Sequence, residues 1–387
     1  MYMGDYNLLG SEAIDSGEAT DAYFQNTEEA FESSGKNPTV VAEMTESQMP
    51  NGTFRIFSGL GDISELFRGV NVDVDAIPEG TAFDGGPVLR ISGPYREFAS
   101  LETSLLGFAS QASAFATAAT EVRYAAPEKT VISFGARHLN PAITPVLERN
   151  ALIAGLDGIS HVASGEQIGR EATGTMPHAL IIPFGRGNQE DAWTAFNNGA
   201  PNDANRIALC DTFSDEVDEV MRAVDALGDD LDGVRLDTTG SRRGDFGQII
   251  QEVNWNLQKL GRTDVDIVVS GGIGPETIQQ LPSCVDGIGV GSYISSSSPL
   301  EFGLDIVQVD GEDVAKRGKF SGVKEVFQTP DGNHRVVASG TEPNSAESLY
   351  DPLIRDGKVV RDITINNSNE NLQDSVERVG SENISSL

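Results

Sequence analysis

Apolar and polar residues change rhythm along this chain, and the changes divide it. In the middle, short apolar runs at 130–134, 158–162, 179–182, 206–209, 233–236, 266–269 and 286–289 alternate with helical patterns. Strand alternating with helix at this spacing predicts a parallel sheet with right-handed crossovers. Seven such units closed on themselves make an irregular seven-stranded α/β barrel; an open doubly wound sheet is the alternative. The barrel is favoured because polar and glycine residues follow nearly every run, as at the carboxyl face of a barrel.

The flanks read differently. Residues 1–19 read as a loose leader, and Thr20 is placed to cap a helix over 21–33. Residues 39–44 and 53–58 run like strands, 59–70 like a helix and turn, and 76–93 like short strands broken by Gly and Pro. A long Ala- and Ser-rich apolar stretch over 101–125 predicts a buried helix joining two domains. After the barrel, 304–309 and 324–327 are strand-like and are expected to rejoin the N-terminal strands. A polar loop follows at 340–348, then 353–360 with an Asp356-Gly357 turn. The polar tail has room for one short helix around 372–379. The expected organisation is an N-terminal domain over 1–110, a barrel over 111–297, a return to the first domain over 298–365, and a tail over 366–387.

The ends of the apolar runs hold the candidate chemistry. Gly271-Gly272 and Gly289-Val290-Gly291 close two successive runs, with Pro275 and Glu276 opening the helix between them. Paired glycine clusters at neighbouring strand ends make a phosphate cup, because bare backbone N–H groups can approach an anion there. Phe134 to His138, Gly174 to His178, Asp211-Thr212 and Arg235 to Gly240 follow the other runs, with Arg242 and Arg243 beyond. Arginine suits bidentate contact with phosphate or carboxylate, and Asp211 and Asp237 suit ribose hydroxyls or Mg²⁺ waters. Each residue alone has a plainer reading, as a cap, an ion pair or, for His161, a packed histidine. Together they predict a site for a phosphorylated, anionic substrate.

Composition narrows the partners. The 387 residues carry 59 acidic against 27 basic side chains, a formal net charge of −32. Such a surface disfavours nucleic acid and anionic membranes. Only seven of the basic residues are lysine, and the acids are spread along the chain, which resembles proteins of salt-rich archaeal cytosols. Cys210 and Cys284 are the only cysteines, so no disulfide framework or cysteine metal site is encoded. With no basic-then-apolar leader and no long apolar run, the chain reads as cytoplasmic.

Several motifs resemble the archaeal branch of the nicotinate phosphoribosyltransferases. They are TDAYF at 20–24, ISGPYREFASLETSLLG at 91–107, FGARH, GTMPHAL, VRLDTTG, VVSGGIGPETIQQL, GVGSYIS and FGLDIVQVDGEDVAKRGKFSG at 302–322. The resemblance implies an α/β sandwich joined to the barrel, in a homodimer or higher oligomer with sites at the interface. It implies joining of nicotinate to phosphoribosyl pyrophosphate (PRPP), giving nicotinate mononucleotide and pyrophosphate, with ATP as co-substrate and Mg²⁺ carried by PRPP and ATP. By the resemblance, Gly271, Gly272, Gly289 and Gly291 hold the 5′-phosphate, and Arg137 faces the PRPP phosphates. Asp211 and Asp237 face ribose and Mg²⁺. Phe134 stacks on the pyridine, Tyr23 of a neighbouring subunit stacks on the other face with Asp21 beside it, and Arg235 binds the carboxylate. His178 matches the histidine that ATP phosphorylates; His138, Thr175 and Ser160 complete the substrate site, Ser160 standing where nicotinamide-using relatives have aspartate. Two departures are visible: the C-terminus lacks the cysteines of some archaeal members, and Ala179 replaces an acid that follows the histidine in some relatives. Quinolinate and nicotinamide phosphoribosyltransferases, and a non-catalytic phosphosugar-binding barrel, remain the alternatives.

The charge makes a prediction about salt. The screening length is about 3 Å at 1 M salt but about 10 Å at 0.1 M, so self-repulsion grows sharply on dilution. Circular dichroism across a KCl series should show unfolding or loss of activity below roughly 0.1 M; full activity after dialysis into dilute buffer would contradict it.

Overall fold

The computed structural model describes residues 7–47, 52–201, 204–329, 334–341 and 347–386. They fall into two compact units, Met1–Ala118 with Ser297–Leu387, and Ala119–Ser296. The long helix Glu102–Ala125 takes the chain from the first to the second.

The first unit is built on a seven-stranded sheet. Its order is Glu312–Asp313, Phe302–Val309, Thr39–Glu46, Pro87–Pro94, Asp73–Ala76, Asp351–Arg355 and Lys358–Val359. Every pairing is antiparallel, and Ala42 sits between Ile91 and Ile306. Alternation along Thr39–Glu46 sends Val40, Ala42 and Met44 into a core with Phe57, Phe67, Phe83 and Phe98. Burying each such side chain contributes roughly 1.5–3 kcal/mol. The Asp356-Gly357 turn forms as expected, both residues at positive φ, closing the last hairpin.

Four expectations for this unit change. The strand Lys324–Gln328 does not join the large sheet; it pairs with His334–Ala338 and Glu347–Ser348 in a separate three-stranded sheet, and most of the expected 340–348 loop lies outside the described residues. Thr20 does not cap the helix Ala22–Ser34, because Asp21 occupies the cap position and the buried Thr20 hydroxyl has no hydrogen-bond partner among the described residues. Within the expected leader, whose first six residues lie outside the description, Ser11–Asp15 is a short helix with Ala13 buried. The tail is a 15-residue helix, Ile365–Val379, capped by Thr364. Its Leu372 and Val376 are buried, and Ser368 donates to the buried Glu79 carboxylate at 2.7 Å.

The second unit holds a parallel sheet of six strands. Its order is Gly158–Ile159, Thr130–Ser133, Gly287–Val290, Asp266–Val269, Gly233–Leu236 and Ile207–Leu209. All residues of Gly233–Leu236 and Gly287–Val290 are buried, as expected for strands covered on both faces. The helices Glu216–Leu227 and Phe246–Lys259 bury Val220, Ala223, Ile250 and Val253.

The seventh strand expected at 179–182 is absent. His178–Ile181 is one helical turn and Ile182–Phe184 a 3₁₀ turn, with Ile181 buried and Ile182 exposed. Four apolar residues between two prolines have no periodicity to distinguish strand from helix, and Ala and Leu favour the helix. In its place one parallel bridge pairs Ala172 with Ile159, where the Thr173 N–H donates to the Ile159 carbonyl at 2.7 Å.

Candidate active site

The register of the parallel sheet fixes the site. Leu209 pairs with Arg235, and Arg235 with Val268, so two residues further on Asp211, Asp237 and Ser270 stand side by side beyond the strand ends. They are joined directly. The Asp237 backbone N–H donates to Asp211 Oδ2 at 3.1 Å, and the Ser270 hydroxyl donates to Asp237 Oδ1 at 2.8 Å. Arg235, only 8% exposed, donates to Ser270 Oγ and to the Met176 carbonyl, both at 2.9 Å, and lies 3.5 Å from Asp237 Oδ2. Its Nε is buried and has no hydrogen-bond partner among the described residues.

The loops beyond the strands are held from behind by one helix. On Glu216–Leu227, Glu219 is fully buried and accepts the backbone N–H groups of Thr212, Phe213 and Ser214 at 2.7–2.9 Å. Glu216 accepts the Thr238 hydroxyl at 2.6 Å. Two buried carboxylates thereby anchor the segments after Asp211 and Asp237 to the same scaffold element.

His178 opens the short helix after Pro177 and completes the cluster. Its Nε2 lies 3.1 Å from Asp211 Oδ1 and its Nδ1 4.0 Å from Asp237 Oδ2. The hydrogen bond to Asp211 is the largest cause that raises its pKa above 6.5. The charges of Asp211 and Asp237 act in the same sense, while burial and Arg235 oppose them. In the neutral ring Asp211 selects the Nε2–H tautomer, which leaves the Nδ1 lone pair free. Burial is the largest influence on Arg235 and pulls its pKa down, with Arg137 adding to it; Asp237 and Asp211 pull it up. A guanidinium stays charged under such shifts.

These residues border a cavity of about 520 Å³ lined by Phe134, Arg137, His138, Ser160, Thr175, His178, Arg235, Asp237, Gly271, Gly272, Gly289 and Gly291, among others. Asp211 stands behind His178. The glycines differ in what they make possible. Gly271 and Gly272 both have positive φ, so they turn the chain where a side chain would strain it. At Gly289 the missing side chain makes room for the Phe134 ring, whose atoms lie 2.3 Å from where a Cβ would sit. Gly289 is thus a seat for an aromatic ring. Tyr23 and Asp21 belong to the other unit, where Tyr23 is 58% exposed and its hydroxyl donates to Asp21 Oδ2 at 3.4 Å.

Among the described residues no group of three or more His, Cys, Asp or Glu side chains could hold a metal ion. His161 is a structural cap, its Nδ1 accepting from the Ser164 N–H. Ser270 was missed from the sequence, and Arg243 was read only as a basic residue beyond the strand end. Ser270, the residue before Gly271-Gly272, bridges Arg235 and Asp237. Arg243 donates to the Ser270 and Gly271 carbonyls at 3.0 and 2.5 Å and stacks on Phe246, which fixes the glycine turn. The basic pair after Gly240 was the available signal for it.

Comparison with known proteins places the chain among relatives. Residues 21–113 match the quinolinate phosphoribosyl transferase N-terminal domain, and residues 115–305 the C-terminal domain of the same family. A nicotinate phosphoribosyltransferase of Mycobacterium tuberculosis is 31% identical over 322 residues, covering 78% of this chain and 67% of the relative. Among solved structures, a nicotinate-nucleotide pyrophosphorylase from Pyrococcus furiosus superposes with a TM-score of 0.92 at 40% identity, over 97% of this chain and 99% of that one. Human nicotinic acid phosphoribosyltransferase shares the fold, with a TM-score of 0.78 at 21% identity over 95% and 96% of the two chains.

The Asp211 contact predicts a titration. Because the pKa of His178 is raised, its ion pair contributes stability that is complete below pH 6.5 and is lost as pH rises through the elevated pKa. Histidine-resolved NMR should place its midpoint above 6.5, and Asp211→Asn should lower it. An unchanged midpoint in Asp211→Asn would contradict the assignment.

Proposed function

The chain belongs to the quinolinate and nicotinate phosphoribosyltransferase family, and from that premise we infer that it is a nicotinate phosphoribosyltransferase, joining nicotinate to PRPP to give nicotinate mononucleotide and pyrophosphate in NAD salvage. One observation supports this choice of substrate above others. Arg235 lines the cavity almost wholly buried, with an Nε–H that has no partner among the described residues. A buried donor left unpaired is costly, and a planar carboxylate is the group that a guanidinium edge fits.

The chemistry asks little covalent work of the protein. The pyridine nitrogen attacks the anomeric carbon of PRPP as the bond to pyrophosphate breaks, and positive charge develops on the ribose. Positioning and charge therefore do most of the work. Phe134, seated on Gly289, supports one face of the pyridine ring. Tyr23 of a second copy covers the other face, with Asp21 beside it. Asp237 and Asp211 face the ribose, Arg137 and His138 the phosphates, and Thr175 the site mouth. The turn at Gly271 and Gly272 takes the 5′-phosphate with Gly291. Mg²⁺ arrives with PRPP and ATP, carried on their phosphates.

ATP coupling runs through His178. A neutral imidazole with Nδ1 free attacks the terminal phosphorus of ATP; ADP leaves, and water later releases the phosphoryl group as phosphate. The phosphohistidine adds negative charge beside Asp211 and Asp237, and so changes how the site holds PRPP and pyrophosphate.

The quinolinate reading has a specific observation behind it, because the matched domains carry that name and the 40% identical structure is described as a nicotinate-nucleotide pyrophosphorylase. A diacid calls for a denser set of cations than this cavity offers. Arg137, His138, His178 and Arg235 are its basic lining, and His178 is committed to Asp211.

The two roles should separate by mutation. His178→Ala should abolish ATP hydrolysis and ATP stimulation but leave slow ATP-independent synthesis from PRPP. Arg235→Ala should raise the nicotinate KM roughly 10- to 100-fold with or without ATP, as expected for a lost charge-assisted hydrogen bond. A folded His178→Ala protein with full ATP-stimulated synthesis would overturn the coupling role.

A further inference from the structure

Behind the pyridine end of the cavity lies a carboxyl group that the mechanism above does not use. Glu148 sits on the helix Thr144–Ile153 and is completely buried. Its Oε1 accepts the backbone N–H of Ser160 at 3.2 Å, and the Ser160 hydroxyl lies 3.4 Å from the same oxygen. Ser160 lines the cavity that holds Arg235 and Phe134. The other oxygen, Oε2, is buried with no hydrogen-bond partner among the described residues, although the Ser133 hydroxyl lies next to the carboxyl. No lysine or arginine forms an ion pair with Glu148 among those residues.

We infer that Glu148 is a positioning residue of the pyridine subsite: it clamps the Ser160 backbone so that the Ser160 hydroxyl meets the ring substituent, and thereby sets the preference for a carboxylate over an amide. The inference rests on the nicotinate reading of this site. Its physical content is a division of labour within one serine. The closer contact, at 3.2 Å, uses the Ser160 N–H, which is thereby withdrawn from the ligand. The hydroxyl contact is long and easily exchanged, so the O–H can turn to donate to a substrate carboxylate.

The absence of charge matters as much as the clamp. Burial pushes Glu148 above the usual carboxylate range, opposed by the Ser133 hydroxyl, the backbone N–H groups of Ser160 and His161, and the charge of a protonated His161. In its protonated form it still accepts the Ser160 N–H, yet places no negative charge behind a substrate that is itself an anion. An ionised Glu148 would hold the Ser160 hydroxyl and repel nicotinate, favouring the uncharged amide.

The test compares kcat/KM for nicotinate and nicotinamide in the full-length enzyme. Glu148→Gln keeps an acceptor for the Ser160 N–H and cannot ionise, so it should retain the wild-type ratio. Glu148→Ala removes the clamp and should lower the ratio by about tenfold or more, mainly through a higher nicotinate KM with kcat little changed. A merely structural role would lower both pyridines together. Ser160→Ala, a change on the cavity wall, should lower the ratio similarly and decides the matter if Glu148→Ala does not fold. An unchanged ratio in Ser160→Ala or in folded Glu148→Ala, or a loss in Glu148→Gln equal to that in Glu148→Ala, would overturn the inference alone. A wild-type enzyme that does not use nicotinate would overturn the underlying reading, and the inference with it.

Discussion

Everything at the site depends on the in-register pairing of three parallel strands. Because Leu209 faces Arg235 and Arg235 faces Val268, the residues at one level beyond the sheet are Asp211, Asp237 and Ser270. Shifting Gly233–Leu236 by a single residue would turn Arg235 to the other face, and shifting either neighbouring strand would move Asp211 or Ser270 out of the row. The row places one carboxylate, Asp211, in hydrogen-bonding contact with His178 and a second, Asp237, 4.0 Å from it and beside the buried Arg235, an arrangement that no local motif could produce alone. Its cost in buried charge is offset by mutual pairing, and by anchoring of the neighbouring loops to Glu216 and Glu219.

Much of this was legible in the chain. The apolar runs located all six strands of the sheet, since each is short, continuous and followed by glycine or polar residues. The same runs named every residue of the row except Ser270, because Arg235 lies in its strand and Asp237 and Asp211 follow theirs closely. The segment 179–182 was misread for a physical reason: four apolar residues between prolines fit either conformation. The C-terminal helix was underestimated because its buried face, Leu372 with Val376, is narrow and set among polar residues. Ser270 and Glu148 were invisible because their importance lies in what they touch across 35 and 12 residues of sequence.

The glycines show how one residue type answers to different constraints. Gly271 and Gly272 answer to backbone conformation, both at positive φ just past the strand Asp266–Val269. Gly289 answers to space, because the Phe134 ring occupies the volume of a side chain. Sequence spacing cannot separate these two reasons, whereas the position of the aromatic ring does. The same ring makes the pyridine reading coherent, since a flat heteroaromatic substrate needs a fixed apolar surface beside its charged anchor.

The central claim is that a carboxylate-bearing pyridine is joined to PRPP in the cavity that Arg235 closes. Pyrophosphate release from PRPP, measured with nicotinate, nicotinamide and quinolinate in turn, tests it most directly. The account predicts release with nicotinate far above that with either competitor, without carbon dioxide. Preferential release with quinolinate, accompanied by decarboxylation, would contradict it.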